Sequence, residues 1–354
     1  MGDRARAFAV RLDDRWRVHI AYRSSNRTMD AIAFARWLST IRPDVVYVFD
    51  MALAGVAAGA WHSRRRRSRL IVDTGDSITA LSRSSGMRGP GGIAATRLLE
   101  SFSLRAADHV VVRGSFHRDL LDSQGVESTV IPDGVDLHMF SPVDGRAARQ
   151  RLGVGDDLTI GIVGSCVWSP ALEMAYGWDL VELLTLLRDL PVRGILVGDG
   201  SGVTHLRARA GAHGVEDRIL FAGRRPLTEL PALLAACDIC LSTQTNDVPG
   251  NVRTTGKLPL YLACGRYILA SNVGEAARVL PPEMLVPYEG TIDRRYPARL
   301  AERVRALASD RARLALGHSG IQIARDHFDY DVLARRLEAV LGETDMSASE
   351  WNAA

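Results

Sequence analysis

Between Arg218 and Glu275 the chain sets three short apolar runs, Ile219 to Phe221, Ile239 to Leu241 and Tyr267 to Ala270, with one helical stretch between each pair. The first helical stretch is Leu227 to Ala236. The second carries the register Leu258, Leu260, Tyr261, Leu262 and Ala263 and stops at Gly265. Strands separated by single helices read as parallel, because each helix returns the chain to the edge where the previous strand began. In a parallel sheet all strands end at one edge, and ligands gather there. The polar stretch TQTNDVPGNVRTTGK, Thr243 to Lys257, opens at that edge and runs into a helix start, which makes it a candidate anion site.

The same alternation fills the rest of the chain. In the first half, helices are expected over residues 5–12, Met29 to Ile41, 51–61, Ile93 to Ala106 and Phe116 to Ser123. The strands expected between them are Trp16 to Tyr22, Val45 to Phe49, 70–73, His109 to Val112 and Ser128 to Pro132. Further units follow at 158–164, 177–187, 193–200 and 203–212, and helices near 298–308, 311–324 and 330–341 close the chain. Turn residues and charge replace apolar runs at 136–150, where the domain boundary is placed. The pattern predicts an α/β protein with two Rossmann-like parallel-sheet domains facing each other across a cleft.

Composition narrows the function classes. A formal charge of +3 on 354 residues is too weak to argue for nucleic acid. No apolar run approaches the ~18 residues of a membrane span, and no signal peptide is expected. Four cysteines, Cys166, Cys237, Cys240 and Cys264, suit a reduced, cytoplasmic protein. The Cys237-x-x-Cys240 spacing matches a redox motif but falls where a helix end runs into a strand, so core packing is expected, and no cluster supports a metal.

Several motifs in order resemble glycosyltransferase family 4, the GT-B enzymes also called glycosyl transferases group 1. VIPDGVDLHMFSP (residues 130–142) resembles the motif that closes their N-terminal domain. ILVGDG (195–200), then DRILFAGRRPLTELPALLAACDICLS (217–242), then KLPLYLACGRYILASNVGE (257–275) resemble their nucleotide-sugar-binding domain. HFDYDVLARRLEAVL (327–341) is similar to the final helix, which crosses back to the first domain. The resemblance implies an acceptor domain over residues 1–139, a donor domain over 140–324 and a crossover helix over 325–341; the polar stretch 342–354 beyond it reads as a disordered tail. It further implies transfer of a sugar from a nucleotide-diphosphate sugar with retention of configuration, without a bound metal or other cofactor. The chemistry needs cations and N–H groups to hold the leaving diphosphate, and a closing cleft to exclude water.

Departures from the family pattern fall on the donor site. Ser165 and Cys166 stand where the family has an Arg after its Gly, and Tyr176 where it has a Lys. Leu260 takes the place of the ribose-binding Glu, with Val252 eight residues earlier. None of these supplies the lost charge or acceptor. The family's first strand and Gly-rich loop are also missing, since the chain opens on what resembles the following helix. A start placed late is favoured over a true loss, because a missing inner strand leaves backbone groups unpaired at about 1–3 kcal/mol each.

The candidate residues carry plainer readings beside the functional ones. Asp76, past the end of a strand, is the catalytic candidate, or a turn former; Gly75 stands where relatives carry a His. Gly164 and Ser165 would offer N–H groups to phosphate, or make a tight turn. Asp199 and Gly200 would line the cleft, or form a Gly-Asp-Gly turn. Arg224, Asn251, Arg253 and Lys257 would supply donor contacts, Lys257 being electrostatically misplaced at a helix start unless an anion joins it. The run Arg64 to Arg67 with Arg69 reads as a solvated loop, or as a patch for an anionic membrane surface or phosphorylated acceptor, which would place the protein at the inner face of the membrane. A second class stays open beside the enzyme: a catalytically weakened or inactive relative that binds a partner.

Overall fold

In the computed structural model, which describes residues 2–342 except Asp13, Ser25, Asn26 and Met87, the first half builds a parallel sheet whose strands lie side by side in chain order. They are β1 (Val45–Val48), β2 (Arg69–Thr74), β3 (His109–Val112) and β4 (Ser128–Val130). Its helices are α1 (Gly2–Ala9), α2 (Arg27–Ile41), α3 (Leu53–Arg66), α4 (Ile78–Ser84), α5 (Pro90–Ala106) and α6 (Ser115–Asp122). Crossovers of one hand put α2, α3, α5 and α6 on the same face. There Leu38, Val56 and Leu104 pack on Val46, Val48, Leu70 and Val72, while Ile71, Val111 and Ile131, one step along each strand, turn to the opposite face and meet Phe8 of α1.

The strand expected over Trp16 to Tyr22 does not form. The segment has no regular secondary structure and pairs with no strand among the described residues, and its alternating Val18, Ile20 and Tyr22 stay exposed. Alternation alone does not hold a strand; a ladder partner does. Between this segment and the free edge of β1 lies an apolar groove of about 340 Å³, walled by Phe34, Trp37 and Leu38 on one side and Phe8, Leu12 and Leu337 on the other. No strand occupies that edge among the described residues.

The second half is a six-stranded parallel sheet, preceded by α7 (Arg146–Leu152). Its strands are β5 (Leu158–Val163), β8 (Val192–Val197), β9 (Ile219–Gly223), β10 (Ile239–Ser242), β11 (Tyr267–Ser271) and β12 (Leu285–Val286), with a small hairpin, β6 (Trp168–Ser169) and β7 (Met174–Ala175), outside the sheet. The order β12-β11-β10-β5-β8-β9 reverses direction between β5 and β10, and that switch point opens a crevice at the strand ends. The helices are α8 (Trp178–Leu186), α9 (Val203–Ala212), α10 (Leu230–Ala235), α11 (Val248–Val252), α12 (Lys257–Ala263), α13 (Ala276–Val279), α14 (Tyr296–Ser309) and α15 (Ser319–His327). All four cysteines are free and buried, and Cys237 lies so close to Gly161 that a Cβ there would meet its Sγ at 2.4 Å.

A last helix, α16 (Tyr330–Gly342), crosses back and buries Leu333, Leu337 and Leu341 against Ile71, Val111 and Ile131 of the first sheet. It begins later than residue 325, because α15 runs on to His327 in the second domain. The crossing is tight: a Cβ on Gly134 would fall 2.7 Å from the Tyr330 ring. Val135 and Phe140 already belong to the second core. The tail past Gly342 lies outside the described residues. Among those residues no helix is long and apolar enough to cross a membrane.

Candidate functional site

At the switch point the chain leaves β10 through Thr243, makes the short α11, and returns at α12, whose first residue is Lys257. The Lys257 Nζ lies 3.6 Å from the centre of the Tyr176 ring. It has no carboxylate partner among the described residues. Burial, reinforced by Arg253 and opposed by Cys166, pulls its pKa down to about 7. The ring beneath it is fixed, since the Tyr176 hydroxyl donates to the Leu241 carbonyl at 3.4 Å and the ring covers Gly164, where a Cβ would come within 2.7 Å of it. So the aromatic residue standing in for the family's lysine carries the amine of another lysine. A sequence signal for this was open and went unread: Lys257 is the only lysine in the 354 residues, every other strong cation being arginine. A guanidinium stays charged at any working pH, whereas a buried amine shifts and titrates.

The loops after β5 and β8 are tied to each other more than to the cleft. Gly164 donates its N–H to Val197 at 3.0 Å and Cys166 donates to Asp199 at 3.0 Å. The N–H of Gly164 is therefore spent and does not serve a phosphate as the sequence suggested. Nor is this a strand-to-helix turn, because the β6/β7 hairpin intervenes before α8. Ser165, exposed between the two, keeps its N–H free of any backbone partner. Gly198 (φ +154) approaches so closely that a Cβ would sit 1.8 Å from the Gly164 carbonyl oxygen, and Gly200 (φ +150) does the same against Cys166 at 2.6 Å. Those contacts account for Gly200. Asp199 spends one oxygen on the Gly200 N–H at 2.7 Å.

Of the remaining candidates, Arg253 and Asp76 come together. Arg253 Nε donates to Asp76 Oδ1 at 2.8 Å, joining the two domains across the cleft. Asn251 is a brace: its amide donates to Asn246 and to the Asp247 carbonyl, both at 3.0 Å, and its oxygen accepts from Gly274 at 3.1 Å. Arg224 is exposed at the end of β9, the outermost strand, two strands from the switch point and roughly 10 Å away from β5 by strand spacing. Other bonds close the same side of the cleft. Ser84 donates to Asp247 at 3.1 Å, Arg278 pairs with Asp119 at 2.6 Å, and Glu275 accepts from the Ser115 N–H and hydroxyl at 2.9 and 2.8 Å, capping α6.

The facing edge of the first domain holds a network that sequence reasoning missed. Asp73, fully buried at the end of β2, takes Arg4 at 3.0 Å, Arg113 at 3.1 Å and the Tyr47 hydroxyl at 2.9 Å. Arg113 also pairs with Asp50 and, at 3.7 Å, with Asp133; Arg4 reaches Asp133 at 3.3 Å. Burial would lower the Arg113 pKa, but Asp73, Asp133 and Asp50 outweigh it and hold the pKa well above its ordinary value. The guanidinium lies against Gly75, where a Cβ would meet Arg113 Cδ at 2.8 Å, so a larger residue there would displace the arginine. Nearby, burial pushes the His117 pKa down to about 4, with Asp76 opposing, and its Nδ1 has no partner. The one hint was the acid ending the apolar run LIVD.

Two parallel-sheet domains, a crossover helix and a cationic switch point define a GT-B architecture. The comparisons give its family. A model described as "Glycosyl transferase 4-like domain" matches residues 2–134, and one described as "Glycosyl transferases group 1" matches residues 158–310. Together they take in most of the chain, which belongs to the group 1 glycosyltransferases of family 4. Among curated relatives, the D-inositol 3-phosphate glycosyltransferase of Stackebrandtia nassauensis is 32% identical over 168 residues, 44% of this chain and 36% of the relative. That of Geodermatophilus obscurus is 27% identical over 309 residues, 83% of this chain and 65% of the relative. The chain thus spans from about a third to just under two thirds of these relatives' length. Among solved structures, Anabaena HepE in complex with UDP superposes with a TM-score of 0.69 at 21% identity, covering 87% of this chain and 81% of that one. Sucrose-phosphate synthase from Thermosynechococcus elongatus gives 0.70 at 20% identity, covering 88% and 76%. At such identities the likeness is one of fold.

Proposed function

We propose that this chain is a glycosyltransferase that takes a sugar from a nucleotide-diphosphate sugar, binding the diphosphate at the switch point between β5 and β10. The observation that carries this reading is Lys257, a solitary lysine set without a counter-ion in the crevice where a nucleotide belongs. Its ammonium and the Arg253 guanidinium would share the leaving diphosphate's charge, with the Ser165 N–H as a further donor, in place of the family's Arg and Lys. The curated relatives are named glycosyltransferases, and the Anabaena protein holds UDP. Retention of configuration and independence of metal come with the family resemblance. The donor panel is the test: calorimetry with UDP, GDP and dTDP sugars gives one specific complex if the reading is right and none if it is wrong.

On the acceptor side Arg4 and Arg113 are already matched by Asp50, Asp73 and Asp133. Two cations against three carboxylates leave nothing to attract a phosphate, so the acceptor that fits is a neutral hydroxyl compound, unlike the inositol 3-phosphate of the relatives' name. A second reading, a binding protein with little or no turnover, draws on Leu260 in place of the ribose acid and on Asp76 engaging Arg253. Donor binding without release of the nucleoside diphosphate would favour it.

A further inference from the structure

At the opposite end of the first sheet, where β2 and β3 begin, a hollow of about 410 Å³ opens between the last turns of α3 and α5. Arg64, Arg67, Arg69 and Arg105 line it, against one carboxylate, Asp108. That carboxylate already accepts the Leu70 N–H at 2.7 Å, and Arg69 donates to the Val340 and Leu341 carbonyls at 3.1 and 3.2 Å. Arg64, Arg67 and Arg105 form no ion pair among the described residues. Arginines at helix ends complement the helix dipoles, and that accounts in part for Arg64 and Arg105. It does not account for two other features. Ser63 and Ser68 line the same hollow, and their hydroxyls, shut off from solvent, have no hydrogen-bond partner among the described residues, Ser68 being 5% exposed. Arg67 itself holds a left-handed backbone, φ +56, a position that favours glycine.

Unpaired cationic forks converging from the ends of two helices call for an anion with many acceptor oxygens, and two partnerless hydroxyls lie in the wall behind them. We propose that this hollow is a second anion site, separate from the cleft, that binds a phosphate group. The phosphate belongs to a soluble phosphorylated compound or to a lipid headgroup. Trp61 and Leu98, 54% and 72% exposed on α3 and α5, would anchor the protein in the second case. Either way the site lies at the edge of the sheet away from the donor crevice, so a membrane held there leaves the cleft open to solution.

The full chain would be titrated with inorganic phosphate by calorimetry, and sedimented with phosphatidylcholine vesicles with and without phosphatidylglycerol. The pocket variant is Arg67→Gly with Arg105→Ser; glycine suits the left-handed backbone, so the fold is kept. A control, Arg303→Ser with Arg313→Ser, removes the same charge from an exposed part of the second domain. The proposal expects binding of phosphate, of phosphatidylglycerol vesicles or of both, weakened roughly tenfold or more in the pocket variant and not in the control. Phosphate binding alone identifies a soluble ligand, and vesicle binding released by salt identifies a headgroup. No binding in either arm, or equal binding by pocket variant and control, overturns the site.

Discussion

Lys257 rests its amine on the face of Tyr176, 3.6 Å from the ring centre, and the same ring covers Gly164 at the end of β5. A quadrupole offsets part of the cost of burying a cation, but a ring is a poor substitute for an anion. Burial therefore leaves the pKa near 7, with Arg253 adding to the depression. A diphosphate entering the crevice would supply the missing charge and bring the proton back.

Donor binding should accordingly take up a proton. The free amine is neutral above about pH 7, against its ordinary 10.5, so affinity for UDP is fully present below pH 7 and declines as pH rises toward the ordinary value. The fall is at most about tenfold per pH unit. Calorimetry in buffers of different ionisation enthalpy at pH 8 should register uptake approaching one proton, and Lys257→Arg, permanently charged, should flatten the pH profile. A flat profile in the natural protein would contradict this coupling.

Asp76 competes with the donor for Arg253. Both side chains are nearly half exposed, so the pair is worth only about 0.2–1 kcal/mol by itself. Asp76→Ala should tighten UDP binding by a few fold while slowing any turnover, whereas Arg253→Ala should weaken UDP binding. If both substitutions weaken UDP binding alike, Asp76 positions Arg253 and does not oppose the ligand.

Asp179, buried at the start of α8, has its pKa pushed up to about 6, chiefly by burial, with Thr243 opposing. A raised carboxylate pKa means that the folded state holds its proton longer. This contribution is complete below the ordinary 3.8 and is lost as pH climbs through 6. Asp179→Asn should therefore raise the melting temperature at pH 7, by an amount corresponding to no more than about 3 kcal/mol, and change little at pH 4. Equal effects at both pH values would show that the charge is not the cause.

The alternation of apolar runs and helices carried both sheets and the returning helix, because burial on two faces writes itself into single strands such as Val45–Val48 and Tyr267–Ser271. Trp16 to Tyr22 went astray because its alternation is real while its ladder partner is not there to see. At the site, Lys257 and Arg253 were legible as charges near a helix start. Gly164, Gly200 and Asn251 were not, since their roles are close approaches and hydrogen bonds between loops that lie far apart in the chain. The Arg4–Asp73–Arg113 network was hidden for the same reason, Asp73 lying 69 and 40 residues from its two arginines and Asp133 lying 129 from Arg4.

Because Lys257 is the only lysine, an amine-reactive label reads the central claim directly. Peptide mapping by mass spectrometry after brief labelling at pH 8, without and with saturating UDP, separates it from the amino terminus. A neutral, partly exposed amine should label in the free protein and be protected severalfold or more by UDP. Labelling of Lys257 that proceeds at the same rate with UDP bound would contradict the proposal that the diphosphate sits there.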